Sequence, residues 1–276
     1  MPDIGLCAQI ACIWEATARK PGNVHRFRDF DDSSYLDFLL SAAAIAPILA
    51  KASQRRVGAT VLDAVRATRQ VTNTNTNLGI VLLLAPLATV PPEEPLRSGV
   101  ERVLAELDIE DSRLVYEAIR LASPGGLGRA EEQDVRDEPT QTLRQVMSLA
   151  AERDLIARQY ANGFVEVFDD GAPALRARLL QTGALEDAIV RVHLELMGKH
   201  LDTLIARKRG RTEAEEAMRR ARAVLDAGMA ALPEFDAWLR SEGNERNPGA
   251  TADLVAASLF VCLREEWIDL PLGGAF

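Results

Sequence analysis

The stretch from Val71 to Leu87, VTNTNTNLGIVLLLAPL, switches abruptly from Asn and Thr to aliphatic residues. Asn and Thr favour helix N-caps, because their side-chain oxygens accept hydrogen bonds from the first free backbone N–H groups. The run from Leu78 to Leu84 is apolar on every face, which suits a helix buried on all sides. The pattern therefore predicts a polar turn feeding a central, buried helix, and such a helix start is also a ready place for phosphate. An elaborate cap accounts for the stretch on composition alone. Asn75 and Asn77 exceed what one cap needs, however, and surplus polar groups in a buried turn must find partners, a ligand among them.

With 276 residues the chain can bury a large core, and residues 1–276 read as a single helical domain. Apolar residues make up 47% and charged residues 26%, an ordinary globular balance. The net charge of −9 argues against a general nucleic-acid binder. Cys7, Cys12 and Cys262 have no metal-ligand spacing and read as reduced core residues. The N-terminus shows no basic segment followed by an apolar run. The apolar stretch from Leu78 to Val90 is too short for a bilayer and contains Pro86. A cytoplasmic protein, without membrane or nucleic-acid partners, is expected.

The rest reads as helix after helix. Ile4, Ala8, Ala11 and Cys12 recur at helical spacing until Pro21-Gly22. Ser33 or Ser34 caps a helix through Leu36, Leu39, Leu40 and Ala43, with Pro47 kinking or splitting it. A helix over 58–71 leads into the central turn, and helices fit 96–107 and 112–121. Residues 123–139, SPGGLGRAEEQDVRDEP, read as a surface loop or a lid. Helices resume over 140–169, 173–180, 184–205 and 212–232. The last one begins at Asn247-Pro248, read as an N-cap followed by proline at the first helical position. No strand pattern or repeat occurs. The expectation is an all-α bundle of about 11–13 helices around the buried central one.

Several polar residues fall where a helical core should be apolar. Glu15 continues the stripe of the first helix. Asp202 lies four residues after Gly198, which predicts a shared helix face with room beside the carboxylate, and Arg207 follows within two turns. Asp253 has Ala250, Ala256, Ala257 and Phe260 around it along the last helix. A charge in such places is costly unless paired or metal-bound, and structural ion pairs explain these residues about as often as catalysis does. His25, His193 and His200 form no metal motif. Asp29, Asp31 and Asp32 read as a solvated loop. Glu15, Asn75, Asp202 and Asp253 are expected to line one site.

The segments EATARKPGNVHR (15–26), TNTNLG (74–79) and NPGATADL (247–254), with the weaker ANGFVEVF (161–168) and LDTLIARKRG (201–210), resemble the ATP:dephospho-CoA triphosphoribosyltransferase family in order along the chain. The resemblance implies an all-helical enzyme that binds ATP with Mg2+, joins the ribosyl carbon of ATP to a ribose hydroxyl of dephospho-CoA, and releases adenine. It implies Glu15, Asp202 and Asp253 as catalytic residues and candidate magnesium ligands. Lys20, Asn23, Arg26, Asn75, Thr76, Asn77, Arg207 and Asn247 are the implied nucleotide and phosphate contacts, and a homodimer is the candidate assembly.

Two motifs depart from the family pattern. Where family members typically read N-T-H-K-G, this chain has Asn75, Thr76, Asn77, Leu78 and Gly79, so a histidine and a lysine are replaced. Where PKPGLVD is usual, the chain reads RKPGNVH, with His25 at the aspartate position. The TNTNLG form resembles a divergent branch linked to one-carbon metabolism through methanopterin-type cofactors, which implies an altered ribosyl or pterin acceptor. The alternatives are another enzymatic step in assembling such a cofactor, or a non-catalytic helical nucleotide-binding protein.

Overall fold

The computed structural model describes residues 3–123 and 132–270, so the Gly-Gly portion of the predicted loop lies outside the described residues. Among the described residues there are fourteen α-helices and no sheet, slightly more helices than expected because long periodic stretches break into short pieces. Asp3 caps α1 (Ile4–Thr17) by accepting from Leu6 N at 3.1 Å. Ser34 and Asp37 form a capping box on α2 (Tyr35–Leu49), which runs through Pro47 without splitting. Gly5 lets the two helices approach closely, since a Cβ there would lie 2.3 Å from the Ala46 carbonyl oxygen.

The buried centre is a pair of helices rather than one. After α3 (Val57–Val71), α4 (Leu78–Thr89) buries every residue from Ile80 to Ala88, as its all-round apolar pattern predicts. Its partner is the last helix, α14 (Gly249–Arg264), in which only Gly249 and Asp253 are not buried. Between them in sequence come α5 (Leu96–Glu106), α6 (Ile109–Ala122), α7 (Leu143–Ala150) and α8 (Leu155–Asn162). The region predicted as helix over 140–169 is thus interrupted, and a π-helical turn over Glu166–Gly171 follows. Gly171 permits that turn to press on α14, because a Cβ there would lie 2.0 Å from Ser258 Oγ.

The C-terminal half adds α9 (Ala172–Thr182), α10 (Leu185–Lys199), α11 (Thr203–Arg209), α12 (Arg211–Ala227) and α13 (Leu232–Arg240). A satellite cluster that includes Leu194, Ile205, Ala217, Phe235 and Leu239 holds α10 to α13 together. Two sequence expectations are corrected here. The helix predicted over 184–205 breaks at His200 and Leu201, so Asp202 is the N-cap of α11 and shares no helix face with Gly198. A Cβ on Gly198 would meet Arg222 instead. At α14 the start shifts by one residue: Pro248 is the N-cap and Gly249 the first helical position. The proline ring fixes φ, here −78°, but ψ of 57° keeps this residue out of the helix.

Candidate active site

Glu15 lies on the inner face of α1, where the helical period carries it into the core, and it is 3% exposed. Its counter-charge comes from the chain that leaves the helix. Lys20, wholly buried, places Nζ 2.9 Å from Glu15 Oε1 and also donates to the Glu15 carbonyl. This ammonium is therefore committed to Glu15 and is not open to a phosphate. His193 of α10 is also fully buried, with no hydrogen bond at either ring nitrogen. Burial, reinforced by the Lys20 charge, lowers its pKa to about 3, so the ring is neutral.

Asp253 projects from the second turn of α14 toward the start of α4. A Cβ on Gly79 would lie 1.9 Å from Asp253 Oδ2, so glycine is required for this approach. Among the described residues the carboxyl group has neither hydrogen bond nor ion pair, and it keeps partial exposure on a helix otherwise buried. Burial pushes its pKa well above the usual carboxylate range; Glu15, Asp202 and Asp154 push the same way, and Arg207 pulls back. The backbone N–H groups of Gly79 and Ile80, in the first turn of α4, have no partner among the described residues, which leaves the positive end of that helix beside Asp253.

Asp202 is near enough to act on Asp253 electrostatically, yet its own oxygens are fully engaged. Oδ1 accepts from Leu204 N at 2.9 Å and Ile205 N at 3.0 Å. Oδ2 accepts from Thr251 N and Thr251 Oγ1, both at 2.8 Å. It thus caps α11 and ties that helix to the first turn of α14. Burial raises its pKa, against the pull of these bonds. Arg207, further along α11, reaches Asp154 Oδ2 at 3.7 Å, and its buried Nε has no hydrogen-bond partner. Asp154 escaped the sequence reading. It looks like an ordinary N-cap of α8, which it is, accepting from Ile156 N at 2.8 Å and Ala157 N at 3.1 Å.

The remaining predicted residues fall into three places. Asn23 donates from Nδ2 to Asn247 Oδ1 at 2.5 Å, joining the first loop to the start of α14, and Asn23 Oδ1 is left buried without a partner. Arg26 sits apart, pairing with Glu186 at 3.0 Å and covering the Phe27 ring. In the central turn, exposed Asn75 caps α4 by accepting from Leu78 N at 3.2 Å. Thr76 bonds Ser41 Oγ at 2.6 Å, and Asn77 Nδ2 donates to Thr68 Oγ1 at 3.0 Å. Both side chains serve the packing of the turn on α2 and α3. A crevice of about 10 Å³ lies behind it, room for one water at most. His25 is buried, and burial with the charges of Arg240 and Lys20 lowers its pKa to about 4.

The structure therefore brings Glu15, Lys20, Asp202, Arg207 and Asp253 into one neighbourhood, with the start of α4 as its wall. A larger depression of about 430 Å³, edged by Leu104, Gln141, Arg144 and Leu149, contains none of these residues. Among the described residues no group of three or more His, Cys, Asp or Glu side chains is gathered to hold a metal.

Comparison with known proteins agrees with this architecture. No curated protein matches the sequence. A solved structure from Archaeoglobus fulgidus, provisionally assigned as a triphosphoribosyl-dephospho-CoA synthase, shares 29% identity with a TM-score of 0.68, covering 83% of this chain and 99% of its own. The profile of the ATP:dephospho-CoA triphosphoribosyl transferase family matches residues 1–271. On the strength of a match over nearly its whole length, the chain belongs to the ATP:dephospho-CoA triphosphoribosyl transferase family.

Proposed function

We propose that this protein transfers the triphosphoribosyl group of ATP to a hydroxyl of a ribosyl-bearing acceptor, dephospho-CoA being the acceptor in the family's name. One observation carries the reading: Asp253 is an unbonded carboxyl on an otherwise buried helix, set against the free N–H groups of another helix start. A structural aspartate in such a place would be bonded, as Asp202 is. In the reaction the bond from the ribose C1′ to the adenine nitrogen breaks, and its electron pair leaves with adenine. The acceptor oxygen bonds C1′, and the proton it gives up is the one adenine gains. Asp253, its carboxylate made more basic by burial and by neighbouring acidic groups, is suited to take that proton and pass it on. Glu15, already neutralised by Lys20, is suited to shape the wall of the site rather than to face the oxocarbenium-like ribose as a free charge. Arg207, through its unpartnered Nε, and the start of α4 are suited to the triphosphate.

Magnesium fits this arrangement as a companion of the nucleotide and not as a resident ion. Mg2+ is usually held by one or two carboxylates together with substrate phosphates; Asp253 is a carboxyl group without another partner, which the ion's charge would hold ionised, whereas Asp202 has no oxygen to spare. When bound, the ion would neutralise phosphate charge. Lys20 is assigned to hold Glu15, and Asn23 with Asn247 to fix the first loop against α14. The cytoplasm, where ATP is plentiful, is the proposed setting.

An acceptor other than dephospho-CoA is favoured by the central turn. Asn77 faces Thr68 and Leu78 is 8% exposed, so this turn offers no cation where the family typically has one. Loss of one charge-assisted contact worth about 2–3 kcal/mol slows turnover roughly 30- to 150-fold. The test is adenine release, measured by chromatography with ATP and a panel containing dephospho-CoA and pterin-pathway intermediates. Dephospho-CoA should give little adenine and a pterin-type acceptor more. Brisk release with dephospho-CoA would return the ordinary family activity. Asp253→Asn should lose about 100-fold or more with the best acceptor, and full activity in that variant would overturn the assignment of the site.

A further inference from the structure

The outer face of α2 is bare and apolar. Leu36 and Leu40 are 60% and 39% exposed, and Ala43 and Pro47 are exposed on the same stripe, at the 4-3-4 spacing that lines one side of a helix. Leu6 of the adjoining α1 is also exposed, at 45%. The segment Tyr35–Gln54 is long and apolar enough to cross a membrane by length and composition, with a mean hydropathy of 1.5 and only 33% of it buried. Its inner face nevertheless makes polar bonds inside the bundle: Asp37 accepts from Thr72 Oγ1 at 2.9 Å and Ser41 meets Thr76 at 2.6 Å. The helix is anchored on one side and has no partner on the other. Scattered exposed leucines are normal, whereas a continuous stripe marks an interaction surface.

We infer that this face pairs with the same face of a second copy of the chain, the two α2 helices running antiparallel across a two-fold axis. Charge and size both select that occupant. The turn that leads into α2 carries exposed Asp31 and Asp32, the latter accepting from Asn244 Nδ2 at 2.9 Å, and the stripe ends at exposed Lys51; neither Asp31 nor the Lys51 side chain has a partner among the described residues. Antiparallel pairing sets the acidic end of one helix on the basic end of the other, twice, as a self-complementary interface requires. It also sets Leu40 opposite Ala43 and Leu36 opposite Pro47, large against small, so that the stripes interdigitate. An anionic membrane would be repelled by the acidic end, and a parallel arrangement would bring like charges together. The inference stands whether or not the transferase reading holds.

Sedimentation velocity of the full chain should show a dimer at micromolar concentration. Leu40→Asp, outside the core, should leave far-UV dichroism unchanged and give a monomer. Lys51→Glu should weaken the dimer about tenfold, since it loses both symmetric pairs and adds repulsion, and Asp31→Lys combined with it should restore the affinity. That rescue separates antiparallel self-pairing from a merely sticky face. A wild-type chain that is still monomeric at about 100 µM, a Leu40→Asp dimer, or a double variant as weak as Lys51→Glu would each overturn the inference. So would wild-type binding to anionic vesicles that Leu40→Asp abolishes.

Discussion

At the scale of single residues, the site is a contrast between paired and unpaired buried charges. Glu15 and Lys20 neutralise one another, with side chains 4% and 0% exposed. Lys20→Met should therefore lose about 3–5 kcal/mol in urea unfolding, because it strands a buried carboxylate, while Glu15→Gln with Lys20→Met should recover most of it. Asp253 behaves in the opposite sense. The folded state favours its neutral acid, since burial and neighbouring acidic groups raise its pKa. Below the usual carboxylate range both folded and unfolded chains hold the proton and there is no penalty. As pH rises from that range to the raised pKa, the unfolded chain ionises first and stability falls. Asp253→Asn should thus melt above wild type at pH 8 by roughly 2–4 °C for each kcal/mol relieved, with the gap closing as pH falls toward about 4. A differential scan at several pH values checks this, and a pH-independent gap would contradict it.

Individual helices show what the sequence could and could not convey. The all-round apolar run of α4 and the misplaced carboxylates of α1 and α14 were legible, because burial is written in residue type and period. The break before Asp202 was not. Leu201, Leu204 and Ile205 keep the helical spacing across it, and the carboxylate that looked like a core anomaly is an ordinary cap whose four donors lie on two helices. Nor does sequence show that Lys20 folds back on Glu15, or that Asn77 turns toward α3; both depend on contacts between elements. Asp202→Ala should cost about 2–4 kcal/mol, combining a lost cap with unsatisfied donors at Thr251. Chemical denaturation would measure it, and a loss below about 1 kcal/mol would mean the join between α11 and α14 carries little weight.

For the whole molecule, ligand binding and assembly should be separable. ATP with magnesium should raise the melting temperature, by roughly 5–10 °C at a hundredfold excess over Kd, because only the folded chain gathers residues from α1, α4, α11 and α14. Leu40→Asp should keep that shift while losing the dimer, and no shift with any nucleoside triphosphate would count against the proposed site. One contact far from both surfaces bears on how the chain reaches this state. Pro86 has no N–H to offer the carbonyl of Leu82 one turn earlier, and Tyr160 of α8 supplies the missing donor at 2.6 Å. The central helix is therefore incomplete until a residue far along the chain arrives. Synthesis from the ribosome would leave α4 with an open rung until α8 emerges, and in the finished protein the two helices should exchange their amide hydrogens as a single cooperative unit.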